Sequence, residues 1–182
     1  ANNHYGSVDH AIKIIDDFSR LENPVGYKVF FKLQFRDLDT FIHQDASKEG
    51  HYVKRFNSTK LSKNQLLKIA SHIKKLDQKK FGLIITPFDE NSVSWCLEAK
   101  TDILKVASCS ARDWPLLEEI SSSSLPVVAS TGGLQWADID NLVSFFQHRA
   151  VDFALMHCIS VYPTKPENCN IRLINKFKER YP

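Results

Sequence analysis

The sequence predicts an α/β fold built on parallel strands, and three observations indicate this class. Segments with apolar residues at three- and four-residue spacing, typical of helices, alternate with short apolar runs of strand length. The short runs are apolar almost without interruption, which is typical of parallel strands that helices cover on both faces. The helix–strand unit recurs about once every 25 to 30 residues, so a parallel sheet with returning helices is favoured.

The N-terminal half is predicted to contain two helices and two strands. Apolar residues recur at helical spacing over Val8–Phe18, which predicts a helix ahead of the first strand. The first strand is the apolar run Val29–Phe35, and the second is Gly82–Thr86, which stops at Pro87. Between the two strands, the spacing over Leu66–Leu76 predicts another helix. Helices and strands in this order are expected of consecutive βα units.

The C-terminal half continues the same pattern. The apolar runs Ile103–Ala107, Pro126–Ser130 and Phe153–Cys158 have strand length. A weak helical pattern at Trp114–Ser121 joins the first two runs, and a clearer one at Trp136–Phe146 joins the last two. Five strands are therefore predicted. Periodicity alone leaves open whether they form a barrel or an open, doubly wound sheet.

One predicted connection is unusually long. From Arg36 to Leu61 the chain has about 26 residues with little apolar pattern, and loops of that length are usually functional or disordered. The segment follows the carboxyl end of a strand, where barrel enzymes place loops that cover the substrate. Its basic side chains fit such a role and fit a solvated face equally well. They are His43, His51, Lys54, Arg55 and Lys60.

The composition is that of an ordinary globular domain. The 182 residues carry a net charge of +3 with 25% charged side chains, so neither disorder nor a nucleic-acid or membrane partner is favoured. No apolar run approaches the roughly 20 residues of a membrane span. The four cysteines form no C-x-x-C pair, so we expect reduced thiols in a cytoplasmic protein. A metal site at Cys158 and His157 is the weaker interpretation, because no second ligand pair has zinc spacing. His157 fits a core histidine bonded to the backbone.

The carboxyl ends of the predicted strands contain side chains suited to binding an anion. Lys32 and Lys105 lie inside apolar runs, where a lysine is costly to desolvate unless an anion meets it; alternatively, both reach out to solvent. Thr86 and Ser108 add hydroxyls, and the Ser130–Gly133 turn leads into a helix whose N-terminus favours a phosphate. These residues predict a phosphate or carboxylate site. No G-x-G-x-x-G turn follows any strand, which argues against a dinucleotide.

Six short motifs occur at or beside the predicted strand ends. They are NHYGS at 3–7, KLQ at 32–34, TPFD at 86–89, LKVAS at 104–108, ASTG at 129–132, and LMHC at 155–158 with YPT at 162–164. In this order and spacing they resemble the sialic acid (N-acetylneuraminate) synthase family over essentially the whole chain. The resemblance implies a TIM (β/α)8-type barrel, usually followed by a small antifreeze-like domain. It also implies condensation of phosphoenolpyruvate with an N-acetylated amino sugar, such as N-acetylmannosamine or its 6-phosphate. The products are a nine-carbon 2-keto acid and phosphate, and a divalent metal, Mn or Mg, is needed.

The resemblance also implies roles for individual residues. Lys32 and Lys105 match lysines that hold phosphoenolpyruvate, so they are the expected catalytic residues. Ser160 stands where many members have an asparagine beside phosphoenolpyruvate, and Ser110 where some have a glutamate facing the sugar. These two differences suggest a divergent sugar specificity. The other expected substrate-binding residues are Thr86, Ser108 and Ser130 around the phosphate and carboxylate, and Gln34, Phe88 and Tyr162 in the sugar pocket.

Parts of the family pattern do not occur in this sequence. They are a glutamate ahead of the Asn-His-x-Gly motif, two metal-binding histidines and the antifreeze-like domain. A closed barrel takes about 250 residues, so we expect one partial barrel over residues 1–182 with about six of eight βα units, residues 1–4 ending an earlier strand. Metal ligands are expected outside this chain. We expect the chain alone to be inactive, and its open side to be closed by another chain, by further residues or by distortion.

Two alternatives stay open at this point. A related aldol-type synthase of the same superfamily would make a seven- or eight-carbon keto acid from erythrose or arabinose phosphate. The motifs at 86–88 and 162–164 favour the sialic acid branch. The other alternative is of a different class: a non-catalytic binding module that kept part of the barrel. The full reading frame would distinguish this module from an enzyme. A homodimer is expected because family members commonly form one.

Overall fold

The computed structural model describes residues 4–21 and 26–182 and contains two compact units, one ending at Asp102 and the other beginning at Ile103. All strand pairs described below are parallel, and helices separate the strands along the chain, which confirms the α/β class. The barrel, its count of βα units and the single domain stay predictions. The expected strand end at 1–4 lies outside the described residues except for His4, which is in a turn.

The N-terminal unit packs helices against one parallel strand pair. Its elements are α1 (Val8–Ser19), β1 (Val29–Phe35), α2 (Leu38–Phe41), α3 (His51–Ser58), α4 (Lys63–Lys74), β2 (Phe81–Pro87) and α5 (Glu90–Glu98). Strands β1 and β2 pair from Val29 opposite Phe81 to Phe35 opposite Pro87. Helices α4 and α5 pack on both strands, and α1 packs on α4. The apolar face so formed is buried and holds the unit together.

Side-chain caps fix where the helices beside β2 begin. Ser62 and Gln65 form a reciprocal capping box at the start of α4. Asp89 caps α5, since its Oδ1 accepts from the backbone N–H of Ser92 at 2.8 Å. The Oδ2 of Asp89 also accepts from the backbone N–H of Asp37 at 2.8 Å, which ties the end of β1 to α5. Burial raises the pKa of Asp89 above its usual value, although these hydrogen bonds act to lower it.

The C-terminal unit repeats this construction with three strands. Its elements are β3 (Ile103–Val106), α6 (Trp114–Ser122), β4 (Val127–Ser130), α7 (Trp136–His148), β5 (Phe153–Met156) and α8 (Leu173–Arg180). Strand β4 pairs in parallel with both β3 and β5. Ile139 and Val143 of α7 and Phe177 of α8 form a buried cluster against Phe153 and Leu155 of β5. Among residues 4–21 and 26–182, no helix has the length and apolar character to cross a bilayer.

The predicted elements agree with the structure to within a few residues, with one clear correction. The segment 36–61 is not a bare loop, because α2 and α3 lie within it. It was mistaken for a loop because α2 and α3 are short and α3 has no buried residue, so the apolar pattern of the segment is weak. Helices α5 and α8 were also not predicted; α8 has a single buried residue, Phe177. Strand β5 ends at Met156, two residues before its predicted end at Cys158.

The carboxylate of Asp102, the last residue of the N-terminal unit, is bonded to strand β2 and helix α4. We predict that these bonds make the stability of the protein depend on pH. Its Oδ2 accepts from the backbone N–H of Leu83 at 2.7 Å, and its Oδ1 accepts from the Lys74 ammonium at 2.9 Å. Burial alone would raise the pKa of Asp102, but these hydrogen bonds and the Lys74 charge lower it below its usual value. Because the folded pKa is depressed, the stabilisation is complete above the unfolded pKa and is lost as pH falls through the folded one.

Asp102→Asn is therefore expected to lower the free energy of unfolding by about 1–3 kcal/mol near pH 7. The difference from the wild type should shrink as the pH falls below about 4, where the unfolded carboxyl is protonated. Urea unfolding at several pH values measures both. Asp17→Asn is the control, because Asp17 pairs with Lys13 on the exposed face of α1 and should change stability by less than about 0.5 kcal/mol. A difference that stays constant down to low pH would contradict the prediction.

Candidate functional site

The register of β1 and β2 places three predicted site residues on one face of the N-terminal unit. Lys32 lies opposite Ile84, and Gln34 lies opposite Thr86. Alternate residues of a strand share a face, so Lys32, Gln34 and Thr86 lie on the same side. Leu33 and Phe35 point the other way, into the core under the helices. The strand pair therefore separates a packing face from a face that presents polar side chains.

Thr86 is the most constrained hydroxyl of this face. It is 1% exposed, and within the part of the chain that the structure describes its Oγ1 has no hydrogen-bond partner. A buried hydroxyl without a partner costs stability and usually has a functional explanation. A ligand oxygen at this end of β2 would satisfy it.

An arginine that lies outside all the sequence motifs follows the end of β1. The guanidinium of Arg36 lies 3.8 Å from the centre of the Phe88 ring, and its Nη2 donates to Oε1 of Gln34 at 3.1 Å. Arg36 also helps to line a small cavity of about 40 Å³ together with His4 and Gln34. Burial, followed by charge repulsion from neighbouring groups including His10, lowers the pKa of His4. His4 is therefore expected to be neutral at pH 7.

The C-terminal unit places two further predicted residues on a shared face. Lys105 lies opposite Val128, and Ser130, two residues further along β4, lies opposite Met156. Lys105 and Ser130 therefore share one side of the β3–β5 sheet. Ser130 is 3% exposed, and its hydroxyl donates to the weakly accepting sulfur of Met156 at 4.0 Å. This hydroxyl can turn toward a stronger acceptor.

The turn after β4 gathers three side chains around Gly132. The Gly132 N–H donates to Oγ of Ser108 at 3.0 Å. A Cβ on Gly132 would lie 2.6 Å from Oγ of Ser160, 3.1 Å from Oγ of Ser108 and 3.2 Å from Cβ of Cys158. Only glycine allows this approach. Thr131 anchors the turn, since its N–H and its Oγ1 both donate to the Met156 carbonyl oxygen at 3.1 Å.

The hydroxyls around Gly132 can donate to an anion. Because Ser108 Oγ already accepts from Gly132, its own proton is left to donate outward. Ser160 is exposed and Ser108 is partly exposed, so both are accessible. Ser108, Ser130, Gly132 and Ser160 are called the serine cradle below.

Comparison with known proteins assigns the chain to a family. The NeuB family profile matches residues 29–182. The chain belongs to the NeuB family. This confirms the resemblance to the sialic acid synthases that the motifs indicated, and the match includes every predicted site residue.

Individual relatives of the NeuB family agree with the assignment. N-acetylneuraminate-9-phosphate synthase of Drosophila melanogaster is 32% identical over 122 residues, which are 66% of this chain and 32% of that protein. The crystal structure described as spore coat polysaccharide biosynthesis protein E of Chromobacterium violaceum has a TM-score of 0.89 at 41% identity, covering 99% of this chain and 53% of that one. N-acetylneuraminic acid synthetase of Leptospira borgpetersenii, solved with citrate, has a TM-score of 0.79 at 26% identity, covering 99% and 59%. The chain thus spans less than two thirds of the length of each.

One expectation about the lysines needs correction. The argument that both lysines are desolvated inside the sheet was wrong for Lys32, which is exposed, and Lys105 is only partly buried. Both lie on the face opposite the helices, so neither carries the full cost of burial. Tyr162 is 93% exposed, so within the C-terminal unit it lines no enclosed pocket. Its role in binding the sugar stays a prediction.

The histidine beside Cys158 bonds to the backbone, as its core interpretation predicted. Nε2 of His157 donates to the carbonyl oxygen of Cys169 at 2.8 Å, and its ring lies edge-on to Phe177. Within the described ranges, no group of three His, Cys, Asp or Glu side chains is placed to hold a metal ion.

Proposed function

We propose that the protein to which this chain belongs condenses phosphoenolpyruvate with an N-acetylated amino sugar, such as N-acetylmannosamine. The products would be a nine-carbon 2-keto sugar acid and inorganic phosphate. Membership of the NeuB family and the names of the Drosophila and Leptospira relatives support this reaction. The observation that carries it is the serine cradle beside Lys105, which suits an anionic substrate.

The C-terminal unit would bind the phosphate and carboxylate of phosphoenolpyruvate. Ser108, Ser130 and Ser160 supply hydroxyl donors, and Lys105 supplies a positive charge on the same face as Ser130. The Gly132 N–H already bonds Ser108, and the Thr131 N–H bonds the Met156 carbonyl, so this turn is held in place before any ligand arrives. Such preorganised donors lower the cost of bringing a highly charged substrate out of water.

The N-terminal unit has its own set of residues that suit a ligand. Lys32 and the partnerless hydroxyl of Thr86 lie on one face and suit an anionic group. Gln34 and Phe88 suit a sugar, since an amide can bond hydroxyls and an aromatic ring can cover an apolar sugar face. In the proposed reaction, C3 of phosphoenolpyruvate attacks the aldehyde carbon of the open-chain sugar, water adds at C2, and phosphate leaves with cleavage of its C–O bond. The residues described here hold and neutralise the anion through these steps.

Several features of the complete protein belong to the same proposal. The chain would form one partial (β/α)8 barrel, and the protein would be cytoplasmic and homodimeric. The four free cysteines agree with a reducing compartment. A divalent metal, Mn or Mg, would be needed, with its ligands outside this chain.

The reaction is tested with the complete reading frame that encodes this chain. Phosphate release from phosphoenolpyruvate should depend on an N-acetylated amino sugar and on added Mn or Mg, and mass spectrometry should detect the nine-carbon acid. Turnover with arabinose or erythrose phosphate instead would show the related keto-acid synthase. Binding of phosphoenolpyruvate without phosphate release, with every sugar and metal, would indicate a binding module. Assaying residues 1–182 alone beside the complete protein tests the expected inactivity of this chain.

Thr86→Val should separate function from stability. Valine has nearly the shape of threonine and removes a buried hydroxyl without a described partner, so the free energy of unfolding should stay equal or rise. The KM for phosphoenolpyruvate should rise about tenfold, because one ligand hydrogen bond is lost. Thr101→Val is the matched control, since the buried Thr101 hydroxyl donates to the Leu83 carbonyl at 3.0 Å and its loss should destabilise the fold. A Thr86→Val protein with reduced stability and an unchanged KM would refute this role.

A further inference from the structure

The guanidinium of Arg36 contacts both residues that are proposed to line the sugar pocket in the N-terminal unit. It donates to Gln34 at 3.1 Å and lies over the Phe88 ring at 3.8 Å. We infer that Arg36 is a positioning residue, which orients Gln34 and Phe88 for the amino-sugar substrate. This inference rests on the proposed function and assigns a role to a residue that none of the sequence motifs includes.

The hydrogen bond between Arg36 and Gln34 determines which way the glutamine amide faces. Arginine has only donors, so it can bond the Oε1 of Gln34 and not its NH2 group. The Gln34 NH2 group is then directed away from Arg36 and is available to donate. Without Arg36 the amide could turn over and present an acceptor instead. The part of the sugar that Gln34 recognises is therefore a hydrogen-bond acceptor, either a hydroxyl oxygen or the acyl carbonyl oxygen.

The aromatic side chains around Arg36 hold its guanidinium in place. Besides the close stack on Phe88, the Phe56 and Phe41 rings lie 5.2 and 5.7 Å from the guanidinium carbon. Phe41 also contacts both other rings edge-on, at centre distances of 5.5 Å to Phe56 and 6.0 Å to Phe88. A guanidinium is attracted to ring faces and loses little rotational freedom when it stacks on them. The arginine is therefore a fixed reference for Gln34.

The same contacts explain why helices occupy the segment 36–61. Phe41 ends α2 and Phe56 lies in α3, so each helix supplies one ring to Arg36. Phe88 follows β2, and Asp89 beside it is bonded to the backbone of Asp37 at 2.8 Å. The arginine, its aromatic neighbours and Gln34 thus form one connected group. The segment 36–61 acts on the sugar pocket through Arg36, without any need to cover the substrate.

Arg36→Met, which keeps the chain length and removes the donor, tests this inference in the complete protein. We expect the KM for the amino sugar to rise about tenfold while the KM for phosphoenolpyruvate stays within about twofold. Arg36→Lys keeps a charged donor but cannot stack its head group on the rings. Its KM for the amino sugar should therefore lie between that of the wild type and that of Arg36→Met. Arg149→Met is the matched control, because Arg149 also stacks on a phenylalanine, Phe145, at 3.7 Å and pairs with Glu118 on a helix surface. It should leave both KM values unchanged.

Gln34→Glu keeps the test decisive if Arg36→Met does not fold. Glutamate retains the contact with Arg36 as a charge-assisted hydrogen bond but cannot donate when ionised. The fold should therefore persist while the KM for the sugar rises by a similar factor. An unchanged sugar KM in Gln34→Glu, or in a folded Arg36→Met, would overturn the inference and leave the proposed reaction standing. A wild-type protein that turns over no amino sugar would instead overturn the proposed function, and this inference with it.

Discussion

Lys105→Ala is expected to lower kcat/KM for phosphoenolpyruvate by about a thousandfold in the complete protein, the largest effect of any single change considered. Phosphoenolpyruvate carries a phosphate and a carboxylate, and its phosphate leaves during the proposed reaction. Lys105 shares a face with Ser130 and is only partly buried, and its ammonium is proposed to meet an anion held by the serine cradle. A fixed positive charge beside a leaving phosphate stabilises the transition state more than the ground state.

Steady-state phosphate release over a range of phosphoenolpyruvate concentrations measures this loss. Lys105→Arg should retain more activity than Lys105→Ala, because it keeps the charge but changes the geometry. Lys178→Ala is the control, since Lys178 lies exposed on α8 and should leave kcat and both KM values unaltered. The thermal midpoint of Lys105→Ala should stay close to that of the wild type. Full activity in this variant would remove Lys105 from the catalytic residues.

The strands could be predicted from the sequence because burial leaves a direct trace in composition. Strand β1 was predicted with its observed bounds, and β2 to within one residue at each end, since an apolar run of strand length has few alternatives. The positions of Thr86, Ser108 and Ser130 at strand ends followed from the same runs. A site at the carboxyl ends of parallel strands is therefore accessible to sequence reasoning once the strands are found.

Contacts between distant residues could not be predicted in the same way. Nothing local distinguishes Arg36 from a surface arginine, because its neighbours Phe56 and Phe88 lie far along the chain. The missing partner of Thr86 and the close approach of Ser160 to Gly132 are likewise properties of the folded chain. Lys32 was wrongly predicted to be desolvated, although it is exposed. Strand composition shows that a residue lies in a sheet, but it does not show which face of the sheet the helices cover.

Gly132→Ala is expected to weaken phosphoenolpyruvate binding by about tenfold to a hundredfold while the chain stays folded. The added Cβ would lie 2.6 Å from the Ser160 hydroxyl, so that hydroxyl must turn away, and it would press on Ser108 at 3.1 Å. Two donors of the serine cradle would then be displaced. The backbone of Gly132 has no positive φ, so alanine causes no conformational strain there.

Gly133→Ala provides the opposite case and makes the experiment decisive. Gly133 has a φ of +74°, which costs an alanine about 1 kcal/mol, yet its Cβ would lie an ordinary 3.6 Å from the Ser160 hydroxyl. Gly133→Ala should therefore lower the melting temperature with a small change in phosphoenolpyruvate affinity, and Gly132→Ala should do the reverse. Thermal unfolding and isothermal titration with phosphoenolpyruvate measure the two quantities separately. Equal losses of affinity in both variants would contradict the prediction. The serine cradle would then have no specific part in holding the anion.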